Sequence, residues 1–245
     1  MDKIQEQLNQ LYKDYLKKIF SEMDLLELVD SDEISSPLFL DCHAEKGKYL
    51  DSDFKILYVG KENNYWVDSH HRERKGISDL NNFDNYIKGL TEIYYEFNIG
   101  FNYSTAFFTF LDILMDELRK DIRNVGVMWT NLLRHDSCGN GRVSPEIEQK
   151  ITYDNNFVFR KELEILKPDA VVFVTGPKYD SILEKTFPGL EKSTIGKWEI
   201  GEFCSLVHKD LPKKSVRLYH PDAHKWYGED YRWKLVADIS EIIKK

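Results

Sequence analysis

The chain has 245 residues, 42% of them apolar and 31% charged, and a formal net charge of −8. That length and apolar content suit a globular protein with a substantial core. The acidic balance argues against a surface coated for phosphate binding but leaves room for a local basic cleft. Apolar positions Ile4, Leu8, Leu11, Tyr12, Leu16, Phe20 and Met23 recur at spacings of three and four, which predicts an amphipathic helix over residues 1 to about 30. The stretch 1–35 is read as a helical extension of a single domain spanning 1–245. Ser35-Ser36-Pro37 then breaks the pattern.

Residues 54–60 form an apolar run closed by Gly60, the pattern of a buried strand that opens onto a loop. A basic segment at 68–76 reads as a loop, and helices are predicted over 79–97 and 104–119. The second helix buries Phe107, Phe108, Leu111, Leu114, Met115 and Leu118. Residues 125–133 form the next strand, with Asn131 near its C-terminal end, followed by a glycine-containing loop at 136–142. Ser144 caps a helix opened by Pro145, which runs to Lys167-Pro168. Residues 169–176 form the clearest buried strand, ending at Gly176-Pro177 before a helix near 179–185. A short hairpin at 192–208, a strand at 216–219, the turn His220-Pro221-Asp222-Ala223-His224 and a helix from about Trp226 complete the chain. The alternation predicts an α/β fold, a three-layer α/β/α sandwich with a mainly parallel central sheet of about four or more strands.

No apolar run approaches the ~20 residues needed to span a bilayer, and no secretory leader is visible. The three cysteines, Cys42, Cys138 and Cys204, form no C-x-x-C pair. Their number and spacing suggest reduced thiols in the cytoplasm rather than a disulfide framework. They are too few for a four-cysteine iron–sulfur cluster. The expectation is a soluble cytoplasmic protein with no membrane contact and no cofactor.

Four strands end in polar or glycine-rich turns: at Gly60, Lys61, Glu62, Asn63, Asn64, Tyr65 and Trp66; at Asn131 with Arg134 and His135; at Gly176-Pro177; and at His220 with Asp222 and His224. In a parallel sheet these turns converge on one edge, where open α/β sheets bind ligands. A carboxylate, two carboxamides and two aromatics in the first turn suit a small planar polar molecule.

On these residues the chain resembles the uracil-DNA glycosylase superfamily. Gly60-Lys61-Glu62-Asn63-Asn64 is similar to the G-Q-D-P-Y or G-E-A-P-G end of that family's first strand. Asn131 resembles its strand-end asparagine, Lys167-Pro168 through Gly176 its K-P-x-x-x-x-x-x-G strand, and His220-Pro221-Asp222 its late H-P-S signature. The resemblance covers residues 54–226 and implies a DNA-repair hydrolase that cleaves the N-glycosidic bond of a flipped or single-stranded (deoxy)uridine or modified base. It implies Glu62 as the carboxylate that positions water and His220 as the donor to the developing base anion. Asn131 would read the base edge with a donor and an acceptor. Gly60, Lys61, Asn63, Asn64, Gly176, Asp222 and His224 would fill out the ligand-binding set, and Tyr65, Trp66 and Phe83 are candidates for stacking. His70, His71, Arg72, Arg74 and Lys75, with Arg134 and Lys213-Lys214, would meet backbone phosphates.

The chain departs from the family at three positions. Asp222 replaces a serine that lies close to phosphate, Asn63 replaces a turn-shaping proline, and Asn64 stands where some members carry a tyrosine that excludes thymine. Two other readings follow from the same residues. One is a non-catalytic binder of a nucleotide, nucleic acid or protein on this fold, favoured by Asp222 and the −8 charge. The other is a zinc hydrolase using His220, Asp222 and His224 with His43 or His135, disfavoured because Pro221 prevents a single-helix H-x-x-x-H.

Overall fold

A computed structural model describes residues 3–44, 48–99, 105–223 and 229–244. In chain order the elements are α1 (Lys3–Leu16), a π-helical turn (Lys17–Glu22), α2 (Leu26–Asp30), β1 (Phe54–Gly60), α3 (Ser69–Arg74), α4 (Phe83–Ile99), α5 (Ala106–Arg119), β2 (Val125–Asn131), α6 (Pro145–Ile151), α7 (Tyr153–Leu166), β3 (Ala170–Phe173), a 3-10 turn (Pro177–Tyr179), α8 (Asp180–Thr186), β4 (Glu191–Thr194), β5 (Phe203–Val207), β6 (Lys214–Leu218) and α9 (Glu229–Lys244). The class is α/β with a mixed six-stranded sheet. No helix among the described residues is long and apolar enough to cross a membrane.

The chain divides into two compact units. A helical unit comprises Met1–Glu45, Glu62–Gly100 and Asn131–Leu166, and a sheet unit comprises Lys46–Lys61, Phe101–Thr130 and Lys167–Lys245.

In the sheet unit the strand order is β2-β1-β3-β6-β5-β4. β1, β3 and β6 run parallel, with Val59 opposite Phe173 and Phe173 opposite Arg217. Ile56, Leu57, Tyr58 and Val59 are fully buried, as is every residue of β3, which is why these strands read as continuous apolar runs without alternation. The expected hairpin is β4 and β5. It adds antiparallel pairing beyond β6, so the sheet is mixed, parallel at β1–β3–β6 and antiparallel from β6 outward. α5 buries Phe108, Leu111, Leu114, Met115 and Leu118 on one stripe, and α9 buries Leu235, Val236, Ile239 and Ile243. The two stripes pack together. The Lys214 ammonium reaches the carbonyl of Ile243 at 2.5 Å, placing a cation at the negative end of the α9 dipole.

In the helical unit α1 packs on α4 and α7, burying Leu8, Tyr12, Tyr15 and Leu16 completely. Residues 3–35 thus supply one wall of this unit's core. The single helix expected to residue 30 is interrupted by the π-helical turn and by Asp24 at φ +54°. The helix expected from Pro145 to Lys167 is likewise two. Ser144 caps α6 as predicted, accepting from the Ile147 N–H at 3.3 Å, and α6 ends at Thr152, whose hydroxyl donates back to the Glu148 carbonyl. α7 ends before Lys167, which is left-handed at φ +48°. The following proline disfavours a helical residue there.

Candidate functional site

At the C-terminal edge of the sheet unit the parallel ladder continues past β3. The Val174 N–H donates to Val59 O at 2.8 Å and the Gly176 N–H to Leu218 O at 2.9 Å. Gly176 turns the chain at φ +71°, a conformation open to glycine. The strand ends at Gly60, Thr175 and Tyr219 therefore share this edge.

His220 stands on it. Its ring lies nearly parallel to Phe107, with centroids 5.8 Å and planes 22° apart, and Phe107 in turn meets Tyr58, Phe108 and Trp129. The Asp222 backbone N–H donates to His220 Nδ1 at 3.2 Å. An accepting Nδ1 carries no proton, so the neutral imidazole holds its hydrogen on Nε2. Burial, and after it the charge of Lys61, pushes the imidazole down to about 4, against the opposing pull of Asp222. Near neutral pH this is an uncharged N–H donor at a strand end. Asp222 itself is exposed, its carboxyl 3.9 Å from Nδ1. Lys61 is half-buried. His224 lies outside the described residues.

The polar turn after β1 belongs from Glu62 onward to the helical unit. Glu62 is half-buried and Asn64 exposed. Asn63 is buried and locks two segments. Its amide nitrogen donates to the carbonyls of Arg134 and Ser36, and its Oδ1 accepts from Asn131 Nδ2 at 2.9 Å. Asn63 is thus an internal strut instead of a ligand contact, and one of the two hydrogens on Asn131 Nδ2 is already engaged. The edge expected from Asn131 keeps its Oδ1 and one N–H. Trp66 is held edge-on by Tyr94 and Phe97, and Phe83 by Phe20. Tyr65 is 54% exposed.

The phosphate-contacting set needs larger correction. The segment expected as a basic loop is helix α3, begun by Asp68, whose side chain accepts from the His71 N–H at 2.8 Å. Arg72 faces inward at 3% exposure, with Nη1 on Ser36 Oγ and the carboxyls of Asp30 and Asp32 at 3.8 Å. Arg134 is fully enclosed and pairs with Glu162. A guanidinium withdrawn from solvent and committed to an internal acid cannot meet a phosphate. His71 sits on Asp68 and Lys75 pairs with Glu96. His70 and Arg74 remain exposed.

The Arg134–Glu162 pair is extended by Tyr12, whose hydroxyl donates to Glu162 Oε1 at 3.0 Å and accepts from the Leu40 N–H. Burial pushes the Glu162 carboxyl up to about 7 despite the guanidinium beside it. His135 is also sealed, its ring nitrogens on Ser35 O and Tyr15 OH, and burial holds it down to about 4. With both nitrogens engaged it is closed as a zinc ligand. Among the described residues no group of three or more His, Cys, Asp or Glu side chains is arranged to hold a metal.

Two residues important to these turns fall outside the expected set. Phe107, read as core, is the surface on which His220 rests. Asp136 accepts from the backbone N–H groups of Tyr65 and Gly139 at 2.8 and 2.7 Å. Its signal is local: an aspartate three residues before a glycine is a turn former. A scan of the chain against models of known protein families finds no match, and neither does a search of curated protein sequences.

Proposed function

We propose that the protein hydrolyses the N-glycosidic bond of an unpaired or flipped (deoxy)uridine or modified base, in the manner of the uracil-DNA glycosylases it resembles. The observation that supports this most is His220: a desolvated neutral imidazole at the C-terminal edge of a parallel sheet, its proton assigned to Nε2 by the Asp222 N–H on Nδ1. In the reaction water adds to the anomeric carbon, the carbon–nitrogen bond breaks, and its electron pair leaves with the base. His220 Nε2–H donates a hydrogen bond to the base oxygen on which negative charge grows. Glu62, two residues past the strand-terminal Gly60, orients the water and takes its proton.

A second reading, a non-catalytic binder of the same ligand class, is favoured by the exposed Asp222 carboxyl beside His220 and by the withdrawal of Arg72 and Arg134 from the surface. A panel of single- and double-stranded oligonucleotides carrying uracil or other altered bases separates the two. Base excision leaves abasic sites, and Glu62→Gln slows their formation by about 10²–10³-fold while retaining binding. Binding without any abasic product selects the binder.

A further inference from the structure

Lys61 is uncommitted. It directly follows the strand-terminal Gly60 and is half-buried, yet among the described residues no carboxylate, carbonyl or ring takes its ammonium. Lys75 and Lys192, also half-buried, rest on Glu96 and on Asp180 with Glu184. Acids are not in short supply, at 42 Asp and Glu against 34 Lys and Arg. An ammonium partly withdrawn from water without a counter-charge costs free energy, which a ligand at this edge would offset.

Its neighbours are polar and equally uncommitted. Two residues beyond the Val59–Phe173–Arg217 level of the parallel ladder stand Lys61, Thr175 and Tyr219, on strands about 5 Å apart. Thr175 is 2% exposed, and its Oγ1 makes no hydrogen bond among the described residues, whereas buried hydroxyls are ordinarily satisfied. His220 follows Tyr219 and feels the charge of Lys61. Its Nε2–H meets no acceptor among the described residues. An amine, a hydroxyl and an imidazole N–H thus collect at one edge, all within the sheet unit. Of the three, the amine is the group that condenses with a carbonyl. Base excision supplies one, the aldehyde at the anomeric carbon of the opened abasic sugar. Attack requires the amine to shed its proton first, and no carboxylate beside Lys61 holds that proton among the described residues.

We propose that Lys61 is a nucleophile toward the abasic sugar, giving the protein a strand-cleaving lyase activity that follows base excision. It rests on the base-excision reading above, whose product it consumes. The Lys61 amine adds to the aldehyde carbon, and the carbinolamine loses water to leave a protonated imine. A proton passes from the adjacent sugar carbon to water, and a carbon–carbon double bond forms to the carbon beyond. There the carbon–oxygen bond breaks with its electron pair on the departing phosphate. Water then hydrolyses the imine and frees Lys61. The test offers a preformed abasic single strand to wild type, Lys61→Gln and Lys61→Arg, with sodium borohydride to reduce any imine to a stable amine link. The wild type should yield a covalent protein–DNA band, mapped by mass spectrometry to the peptide carrying Lys61, and a cut strand when borohydride is left out. Both variants should lose the band, since the guanidinium of Lys61→Arg keeps the charge without a nucleophilic amine. The wild-type map decides alone if a variant fails to fold. A wild type that gives no band, an adduct spread over other lysines, or a Lys61→Arg that still links to the strand overturns the lyase. Uracil released from a uracil strand without any adduct overturns the lyase and leaves base excision standing. An adduct on the preformed abasic strand with no base released from the uracil strand overturns base excision instead.

Discussion

Replacing Phe107 with alanine removes the ring on which His220 lies and admits water to the imidazole. In the native fold that imidazole is held at about 4 against an ordinary value of 6.5. At about 1.36 kcal/mol per pH unit, the gap amounts to about 3 kcal/mol in favour of the neutral form. The unfolded ring takes a proton below pH 6.5 that the folded ring refuses until about 4. The stability tied to this ring is therefore complete above pH 6.5, shrinks as pH falls through the window between those values, and levels off below it. Phe107→Ala brings the His220 value back toward 6.5 by about one unit or more and flattens that part of the stability profile. Titration of the histidine ring protons by NMR, with His220→Gln to assign the resonance, reads the shift directly. A native His220 that titrates near 6.5, or one left near 4 in Phe107→Ala, refutes the desolvation argument.

His135, enclosed in the helical unit and held at about 4, titrates in the same window. Guanidinium unfolding at a series of pH values should show stability falling between pH 6.5 and 4, with His135→Gln reducing the slope. Arg134→Ala strips Glu162 of its buried counter-charge and costs about 3–5 kcal/mol in chemical denaturation; a loss under 1 kcal/mol would place that guanidinium in solvent. Asn63→Ala leaves the buried Asn131 Nδ2 without that acceptor, while the Arg134 carbonyl keeps the Leu38 N–H, and costs about 1–3 kcal/mol by the same measurement, whereas a neutral result restores Asn63 as a free ligand contact. Asp68→Ala removes the α3 cap at a cost of about 1 kcal/mol, seen as faster amide exchange at His71 and its neighbours.

β1 and β3 were legible because their burial is nearly complete. β1 runs from Phe54 to Gly60, matching the apolar run and its terminal glycine, and the 169–176 run contains β3. The Ser144–Pro145 start of α6 was legible because capping chemistry is local. What sequence hid is set by partners far along the chain. Arg134 pairs with Glu162, and Arg72 lies near Asp30 and Asp32. A charge-rich segment looks solvated until the fold supplies the counter-charge. Asn63 and Asn131 were both singled out, yet their mutual hydrogen bond converts one from ligand contact to strut. At 68–76 the run of His, Arg, Glu and Lys obscured a helix whose cap, Asp68 three residues before His71, was present to be read.

In the proposed reaction His220 and Glu62 each have a role in breaking an N-glycosidic bond. Single-turnover measurement of abasic-site formation on a single-stranded uracil oligonucleotide tests it most directly, comparing wild type with Glu62→Gln and His220→Leu after circular dichroism confirms their folding. The expected result is excision by the wild type and losses of about 10²–10³-fold in each variant, with strand binding kept in Glu62→Gln. Variants that excise as fast as wild type contradict it, as does a wild type that binds the strand and never releases the base.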